Sequence, residues 1–270
     1  MDENQFREMT IAKHREHFDH FYRLHELAQV SLGKYRGLNE NHYHAALHLI
    51  FPRAYKSFDS IRRLCEIASC EDAAVILRCL LNLLVVTRWL SLKPKSRARK
   101  YFAWYWIEMN REAEQAQGAI PSGWIADILK NYRANKPLFE HKDKRGRTKI
   151  AKHWYEPEAQ SIYDLFKQVH LEKQYQEAYR PLSGVEHSDA LAFFAMVVNA
   201  ERKENERRLE IQSDLFVPHY LRNAFQYFAD IFRTCNKTIA FADAAQLEQI
   251  VDDGMKFYEA DMRGKGISPV

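Results

Sequence analysis

The sequence has 270 residues, 46% of them hydrophobic, and a formal net charge of +4 at pH 7. This apolar content can fill a large core, whereas so mild a charge does not by itself predict binding to nucleic acid or to a membrane. Only 9 Gly and 8 Pro are present, which leaves few positions for turns and argues against a fold of many short strands. The composition therefore predicts an all-α, multi-helix bundle.

The N-terminal segment is charged throughout and lacks the apolar core of a secretory signal peptide. Phe6, Phe18 and Leu24 recur at helical spacing, so residues 1–35 are predicted to form an N-terminal helix that packs on the core. The histidines of this helix have no nearby carboxylate or thiolate set, and we expect no metal and no cofactor. The four cysteines lack CxxC spacing, which predicts reduced thiols in a cytoplasmic protein.

Residues 73–90 are predicted to form a buried central helix with no solvent side. The run is interrupted by Arg78 and Asn82 and is too short for a membrane span, so no membrane association is expected. A guanidinium in a core must find acceptors, because an unpaired buried charge is costly. Arg78 could anchor helices through backbone carbonyls and hydroxyls such as those of Tyr179 or Ser183, or it could bind a phosphate or carboxylate.

Residues 93–100 form a basic run that is predicted to be a loop, with aromatic residues directly after it. Cations next to aromatic rings suit a phosphate backbone and stacked bases, although ordinary solvated loops have the same composition. A second basic run extends from Lys142 to Lys152. The residues predicted to contact nucleic acid are Lys93, Lys95, Arg97, Arg99, Lys100, Trp104, Lys144, Arg145 and Arg147.

Residues 135–152 hold most of the non-helical character and are predicted to be an irregular basic insertion in the bundle. Asn39 is a plausible N-cap for a helix from His42 to Phe51, and Pro52 is expected to end or kink that helix. Helices resume after Pro157 and include one predicted from His187 to Asn205. Without a clear linker or repeat, residues 1–262 are predicted to be a single domain, with C-terminal helices over 206–260 and a disordered tail over 263–270.

Common catalytic motifs are missing from the sequence. It contains no Gly-rich phosphate loop, no GxSxG elbow and no HExxH helix. No histidine has a glutamate three residues before it, which argues against a ferritin-like di-iron bundle.

A signature does stand out in residues 153–189, where Tyr175, Tyr179, Leu182, Ser183 and His187 fit the pattern Y-x-x-x-Y-x-x-L-S-x-x-x-H. Together with the apolar helix that bears Arg78, this stretch resembles the bacterial family called domain of unknown function 5677, over roughly residues 51–194. The family pattern has a Glu one turn after the Arg, and this chain has Asn82 there. The resemblance implies a helical fold and no particular activity.

A more distant similarity is to HEPN proteins, helical bundles whose RNA-cleaving members have an Arg and a downstream His with four to six residues between them. Arg180 and His187 have this spacing, and the PLSG sequence between them predicts a turn that exposes both side chains. The similarity implies a metal-independent endoribonuclease whose site is completed in a homodimer, with Arg180 binding the scissile phosphate and His187 transferring a proton. Alternatively, Ser183 caps a helix in a capping box with Glu186.

Two hypotheses follow from the sequence. The first is an RNA- or nucleotide-directed protein of bacterial defence or stress response. Its catalytic residues would be Arg180 and His187, and its supporting polar centre would comprise Arg78, Asn82, Tyr179 and Ser183. The second is a non-catalytic interaction or scaffold module in which the same polar centre fixes helix packing.

Overall fold

The structure is a computed structural model, and it describes residues 3–34, 41–116, 121–186 and 214–264. The prediction of an all-α multi-helix bundle is confirmed. The helices are α1 (Glu3–Lys13), α2 (Arg15–Lys34), α3 (His42–Glu66), α4 (Cys70–Leu92), α5 (Pro94–Gln115), α6 (Ser122–Asn135), α7 (Ile162–Gln168), α8 (Glu172–Gln174), α9 (Arg180–Glu186), α10 (Val217–Ile239) and α11 (Ala244–Gly264).

Shorter elements complete the fold. Two 3₁₀ turns cover Lys136–Leu138 and Asp214–Phe216, a π-helix covers Tyr175–Tyr179, and strands β1 (Glu140–Lys142) and β2 (Thr148–Ile150) pair antiparallel. The chain divides into two compact units. Unit 1 comprises residues 1–37, 47–88 and 171–270, and unit 2 comprises residues 38–46 and 89–170. The single domain predicted from the sequence stays a prediction.

The core of unit 1 lies where α2, α3, α10 and α11 meet. The ring of Phe58 stacks on Phe21 at 3.8 Å and on Phe228 at 4.3 Å between centroids, so three helices are joined by one column of rings. Gly254 of α11 lets the helix approach α10 closely, because a Cβ there would lie 2.4 Å from the Phe225 ring. Burial of these large aromatic surfaces is the main stabilising term in this unit.

Helix α4 is only partly as predicted. Leu77, Leu80 and Leu84 are fully buried, which confirms its apolar side. The prediction of no solvent side is wrong, because Arg78 and Asn82 are only half-buried. Placing Arg78 at the edge of the core lets part of the residue reach solvent, which lowers the cost of a charge in an apolar helix.

Among the described helices, α4 alone is long and apolar enough to cross a membrane. More than half of its apolar window is buried by the protein itself, as in the core helix of a soluble protein. A cytoplasmic location stays a prediction.

The single N-terminal helix predicted over residues 1–35 is instead two helices, α1 and α2, with a break at His14. Both are tied to the end of α3 by Glu66, a carboxylate that is 2% exposed. Glu66 accepts hydrogen bonds from Arg7 Nε of α1 at 2.9 Å and from the Tyr22 hydroxyl of α2 at 3.0 Å, and it also pairs with Arg62. The negative charge is tolerated in the core because every contact partner is a donor.

The insertion predicted over 135–152 is a folded element of unit 2. Its β-hairpin is anchored by Phe139 and Ala151, which are buried against Ala103 and Ile107 of α5. Helices α5 and α6 pack against each other in the same unit. The basic run at 93–100 is not a loop, since Pro94 occupies the first turn of α5, where its missing N–H costs nothing.

The segment from Glu172 to Glu186 runs as α8, the π-helix and α9 in succession, and we call it the signature helix. The predicted turn at PLSG is wrong, and so is the predicted capping role of Ser183, because both lie within α9. Pro181 has no N–H to continue the regular ladder, and the Arg180 N–H instead bonds to the Tyr175 carbonyl, five residues back. The helix accommodates the proline by widening.

Other boundaries also differ from prediction. Asn41, rather than Asn39, caps α3, since its side chain accepts from the backbone N–H groups of Tyr43 and His44. Helix α3 continues through Pro52. Helix α11 extends to Gly264, so residues 263 and 264 are not part of a disordered tail. Asn39, the helix predicted over 187–205 and the last six residues lie outside the described residues.

Candidate functional site

The signature helix and α4 meet in unit 1 through Arg78 and Tyr179. Arg78 Nη2 donates to the Tyr179 hydroxyl at 3.1 Å, and the guanidinium carbon lies 4.8 Å from the centroid of the same ring. One tyrosine therefore contacts the cation twice, through its oxygen and through its π face. Tyr179 is one of the two residues whose hydroxyl was named from the sequence as a possible acceptor for Arg78.

Tyr175 extends the contact. Its ring stacks on Tyr179 with 5.4 Å between centroids and 16° between planes, so Arg78, Tyr179 and Tyr175 form a short stack. We call these three residues the Arg78 cluster. All three are half-buried and thus reach solvent, and both tyrosines lie in the π-helix, a conformation that occurs frequently at functional sites.

The other predicted members of the polar centre are less involved. Asn82 is one turn after Arg78 on α4, and Ser183 is one turn after Tyr179 on α9, and both are half-buried. Within the described residues, neither makes a hydrogen bond to the Arg78 cluster. Of the predicted centre, Arg78 and Tyr179 are in direct contact, and Tyr175 is a neighbour that was not predicted as a member.

Arg180 faces solvent, and its Nη1 donates to Gln176 Oε1 one turn earlier, at 3.0 Å. Its guanidinium makes no hydrogen bond to the side chains of the Arg78 cluster within the described residues. His187 lies outside them, so the predicted Arg180 and His187 pair stays a prediction. The exposed turn that motivated this pair is absent, because residues 180–186 are helical.

Residues 44–205, more than half of the chain, match the family described as "Family of unknown function (DUF5677)". The chain belongs to this family. No curated protein and no solved structure matches the chain. The DUF5677 match contains α4 and the signature helix, and so includes all three residues of the Arg78 cluster.

The first basic run has a different role from the one predicted. Arg97 is 4% exposed, and it donates to Glu158 Oε2 at 3.0 Å, to the Trp89 carbonyl at 2.9 Å and to Gln168 Oε1 at 3.0 Å. Its guanidinium carbon also lies 4.1 Å from the centroid of the Trp89 ring. A side chain so enclosed cannot contact nucleic acid, and Arg97 instead holds unit 2 together.

Lys100 is also turned inward. Its ammonium lies 3.7 Å from Glu158 Oε1 and 5.6 Å from the centroid of the Phe139 ring. Burial lowers the pKa of Lys100, while Glu158 opposes that shift. Trp104 packs on Phe139 and under Arg111, so it is not a free stacking surface either. Of this run, Lys93, Lys95 and Arg99 are exposed, although Lys93 lies 3.8 Å from Glu158.

The second basic run lies on the β-hairpin and its tip. Lys144, Arg145 and Arg147 are all exposed, as contact with nucleic acid requires. Asp143 organises the tip by accepting from the backbone N–H groups of Arg145 at 2.8 Å and Arg147 at 3.0 Å. The hydrogen bond from the Arg147 backbone, with the other donors, holds the pKa of Asp143 below its usual value.

The histidines of α2 pair with acidic and aromatic groups. His17 Nε2 lies 3.3 Å from Asp261 Oδ2, and His25 Nε2 lies 3.0 Å from Asp59 Oδ1 and 3.0 Å from the Tyr55 hydroxyl. The part of the chain that the structure describes contains no group of three potential metal ligands. The absence of a metal or cofactor stays a prediction.

Sequence reasoning missed the acidic partners, above all Glu158 and Glu66. Glu66 could have been found, because Asp59, Arg62, Arg63 and Glu66 lie at spacings of three and four residues on one face of α3. Glu158 had no such signal. It follows a cis peptide bond at Pro157 in irregular chain and is far in sequence from Arg97.

Proposed function

We propose that this DUF5677 protein binds RNA or a nucleotide, with Arg78 as the group that binds a phosphate. The observation that supports the proposal is the Arg78 cluster, in which a half-buried guanidinium is held against Tyr179 with Tyr175 stacked behind it. Arginine binds phosphate through a planar fork of donors, and an orienting aromatic ring reduces the conformational entropy lost on binding. Signature tyrosines next to the cation offer a surface for a base.

RNA cleavage would add a proton-transfer group, and the sequence offers His187 for this role. In this proposal Arg78 rather than Arg180 neutralises the scissile phosphate, since Arg180 is bound to Gln176 on the outer side of the signature helix. The reaction needs no metal. A homodimer and a role in bacterial defence belong to the same proposal.

Binding should be measured with a labelled single-stranded RNA of mixed sequence in EDTA. Arg78→Lys keeps the positive charge but removes the fork, and we expect it to lower affinity by about tenfold. Arg88→Lys is the matched control, because Arg88 lies on the same helix and pairs with Asp230 instead. Equal affinities for the wild type and a folded Arg78→Lys variant would refute the phosphate role.

Cleavage should be tested in the same buffer with the wild type and His187→Ala, after circular dichroism has shown that both are folded. Cyclic phosphate ends that form with the wild type and not with the variant would establish metal-independent cleavage. If RNA is bound but never cut, the protein is a binding module, and the catalytic part of the proposal is wrong.

A structural role for the same residues is the second candidate function. It is favoured by the hydrogen bond from Arg78 to Tyr179, which joins α4 to the signature helix. In a scaffold module, Tyr179→Phe would lower the free energy of unfolding by about 1 kcal/mol, the usual contribution of one hydrogen bond, and would leave RNA binding unchanged. Urea unfolding together with RNA titration separates the two functions.

A further inference from the structure

The β-hairpin concentrates positive charge in a short piece of chain. Residues 140–152 carry six basic and two acidic side chains, so this segment has the same net charge, +4, as the entire protein. All six basic side chains are exposed, and they are Lys142, Lys144, Arg145, Arg147, Lys149 and Lys152.

The hairpin holds these charges on a defined backbone. At its base, Ala151 N–H donates to the Phe139 carbonyl at 2.8 Å, and Arg111 of α5 donates to the Ala151 carbonyl at 2.6 Å. At its tip, Asp143 fixes the turn, and Gly146 takes the left-handed conformation that the turn requires, with φ at +73°. Binding would therefore cost side-chain entropy at the cations but little backbone entropy.

The charges on the hairpin are only partly neutralised. Asp143 pairs with Arg147 at 3.0 Å and with Lys149 at 3.4 Å, and Glu140 pairs with Lys136 at 3.3 Å. The other four cations, Lys142, Lys144, Arg145 and Lys152, have no ion pair within the described residues. Like charges held this close repel one another, and a polyanion would relieve the repulsion.

We propose that the hairpin binds double-stranded nucleic acid through its phosphates, without reading the sequence. A duplex fits better than a single strand, because residues 140–152 contain no Phe, Tyr or Trp on which unpaired bases could stack. A two-stranded ribbon also fits the major groove of B-form DNA, which is about 12 Å wide, whereas the major groove of A-form RNA is too narrow for it. Duplex DNA is therefore the ligand.

The experiment is a salt titration of the full chain with a fluorescent DNA duplex of about 20 base pairs and mixed sequence. Four phosphate contacts predict that the logarithm of the binding constant falls against the logarithm of salt concentration with a slope of about −3.6. The double variant Lys144→Gln with Arg145→Gln removes two contacts. Its slope should be shallower by about 1.8, and its affinity in low salt should fall at least about tenfold.

The matched control is Lys130→Gln with Arg133→Gln, the same change of charge at two exposed positions of α6 in the same unit. It should alter affinity by less than about twofold. An equal loss in both double variants would show that only the overall charge matters, and it would overturn the hairpin site.

Two further ligands complete the test. Equal or tighter binding of single-stranded DNA of the same length, or binding of phosphatidylserine vesicles without binding of the duplex, would overturn the choice of partner. Failure of the wild type to bind the duplex in 50 mM salt would overturn the site itself. The inference is independent of the Arg78 cluster, since Arg78→Lys should leave the salt dependence of duplex binding unchanged.

Discussion

At the scale of single residues, arginine takes opposite roles in this protein according to its surroundings. Arg97 is enclosed, with a ring beneath it and three acceptors around it, whereas Arg78 is half-buried with Tyr179 beside it. The enclosed guanidinium fixes the packing of unit 2. Only the half-buried one can also bind a ligand, because part of its surface reaches solvent.

The structural role of Arg97 can be measured. We expect Arg97→Ala to lower the free energy of unfolding by about 2–4 kcal/mol, because its acceptors on Glu158, Gln168 and Trp89 lose their donor. The upper end is limited because the Glu158 side chain keeps 29% of its exposure to water. Arg99→Ala, at an exposed position on the same helix, should change the free energy of unfolding by less than about 0.5 kcal/mol. Urea unfolding of both variants is the test, and similar losses would contradict the role given to Arg97.

At the scale of elements, close approach of helices depends on where the small residues lie. Gly254 lies in buried contact with Phe225, whereas a Cβ at Gly123 on α6 would meet nothing within 4 Å beyond its own stretch of helix backbone. The same substitution should therefore have opposite effects at the two positions.

Gly254→Ala should lower the free energy of unfolding by about 1–3 kcal/mol, since Phe225 is fully buried and its ring has little room to move. Gly123→Ala should raise it by about 0.5–1 kcal/mol, because alanine restricts the unfolded chain and favours a helix. Thermal unfolding of the two variants compares them directly. A stabilising Gly254→Ala would mean that α10 and α11 are further apart than described.

In the signature helix, the local conformation of the backbone depends on one proline. Pro181 interrupts the regular hydrogen-bond ladder, and the π-helix before it carries both tyrosines of the Arg78 cluster. The Tyr-x-x-x-Tyr spacing was visible in the sequence. The widened turn was not, because a proline is compatible with a break, a kink or a π-bulge.

At the scale of the whole molecule, stability should depend on pH through half-buried histidines. Burial lowers the pKa of His25 from its ordinary value of 6.5, with Asp59 and Arg62 acting in opposite directions, and burial together with Arg23 lowers the pKa of His20. Below pH 6.5 the unfolded chain therefore binds more protons at these positions than the folded chain does. The free energy of unfolding must then fall as the pH falls.

His25→Gln should make that fall shallower between pH 7.5 and pH 5. Glutamine retains a hydrogen-bonding side chain beside the Tyr55 hydroxyl but cannot take up a proton. Urea unfolding at a series of pH values gives both curves, and His20 should preserve part of the slope. Parallel curves for variant and wild type would show that His25 titrates alike in the folded and unfolded chains.

The sequence by itself determined the helical class, the position of α4 and its leucine side, and the family signature. These features are local, since period, composition and spacing are properties of a short window of chain. It also anticipated that Arg78 would find a hydroxyl, because a cation in an apolar helix needs an acceptor. Tyr179 and Ser183 were both named as possible partners, beside backbone carbonyls, and the structure shows the contact with Tyr179.

Only the tertiary structure decided which charges face inward. The basic run of α5 reads as one solvated patch, yet Arg97 and Lys100 are buried while Arg99 is exposed. The difference arises from Glu158, a partner 61 positions from Arg97 in the chain. A sequence window records that a charge is present, but whether it contacts a partner or water depends on long-range packing. The hairpin cations were predicted on the same grounds as the α5 run, and in their case the structure confirms the exposure.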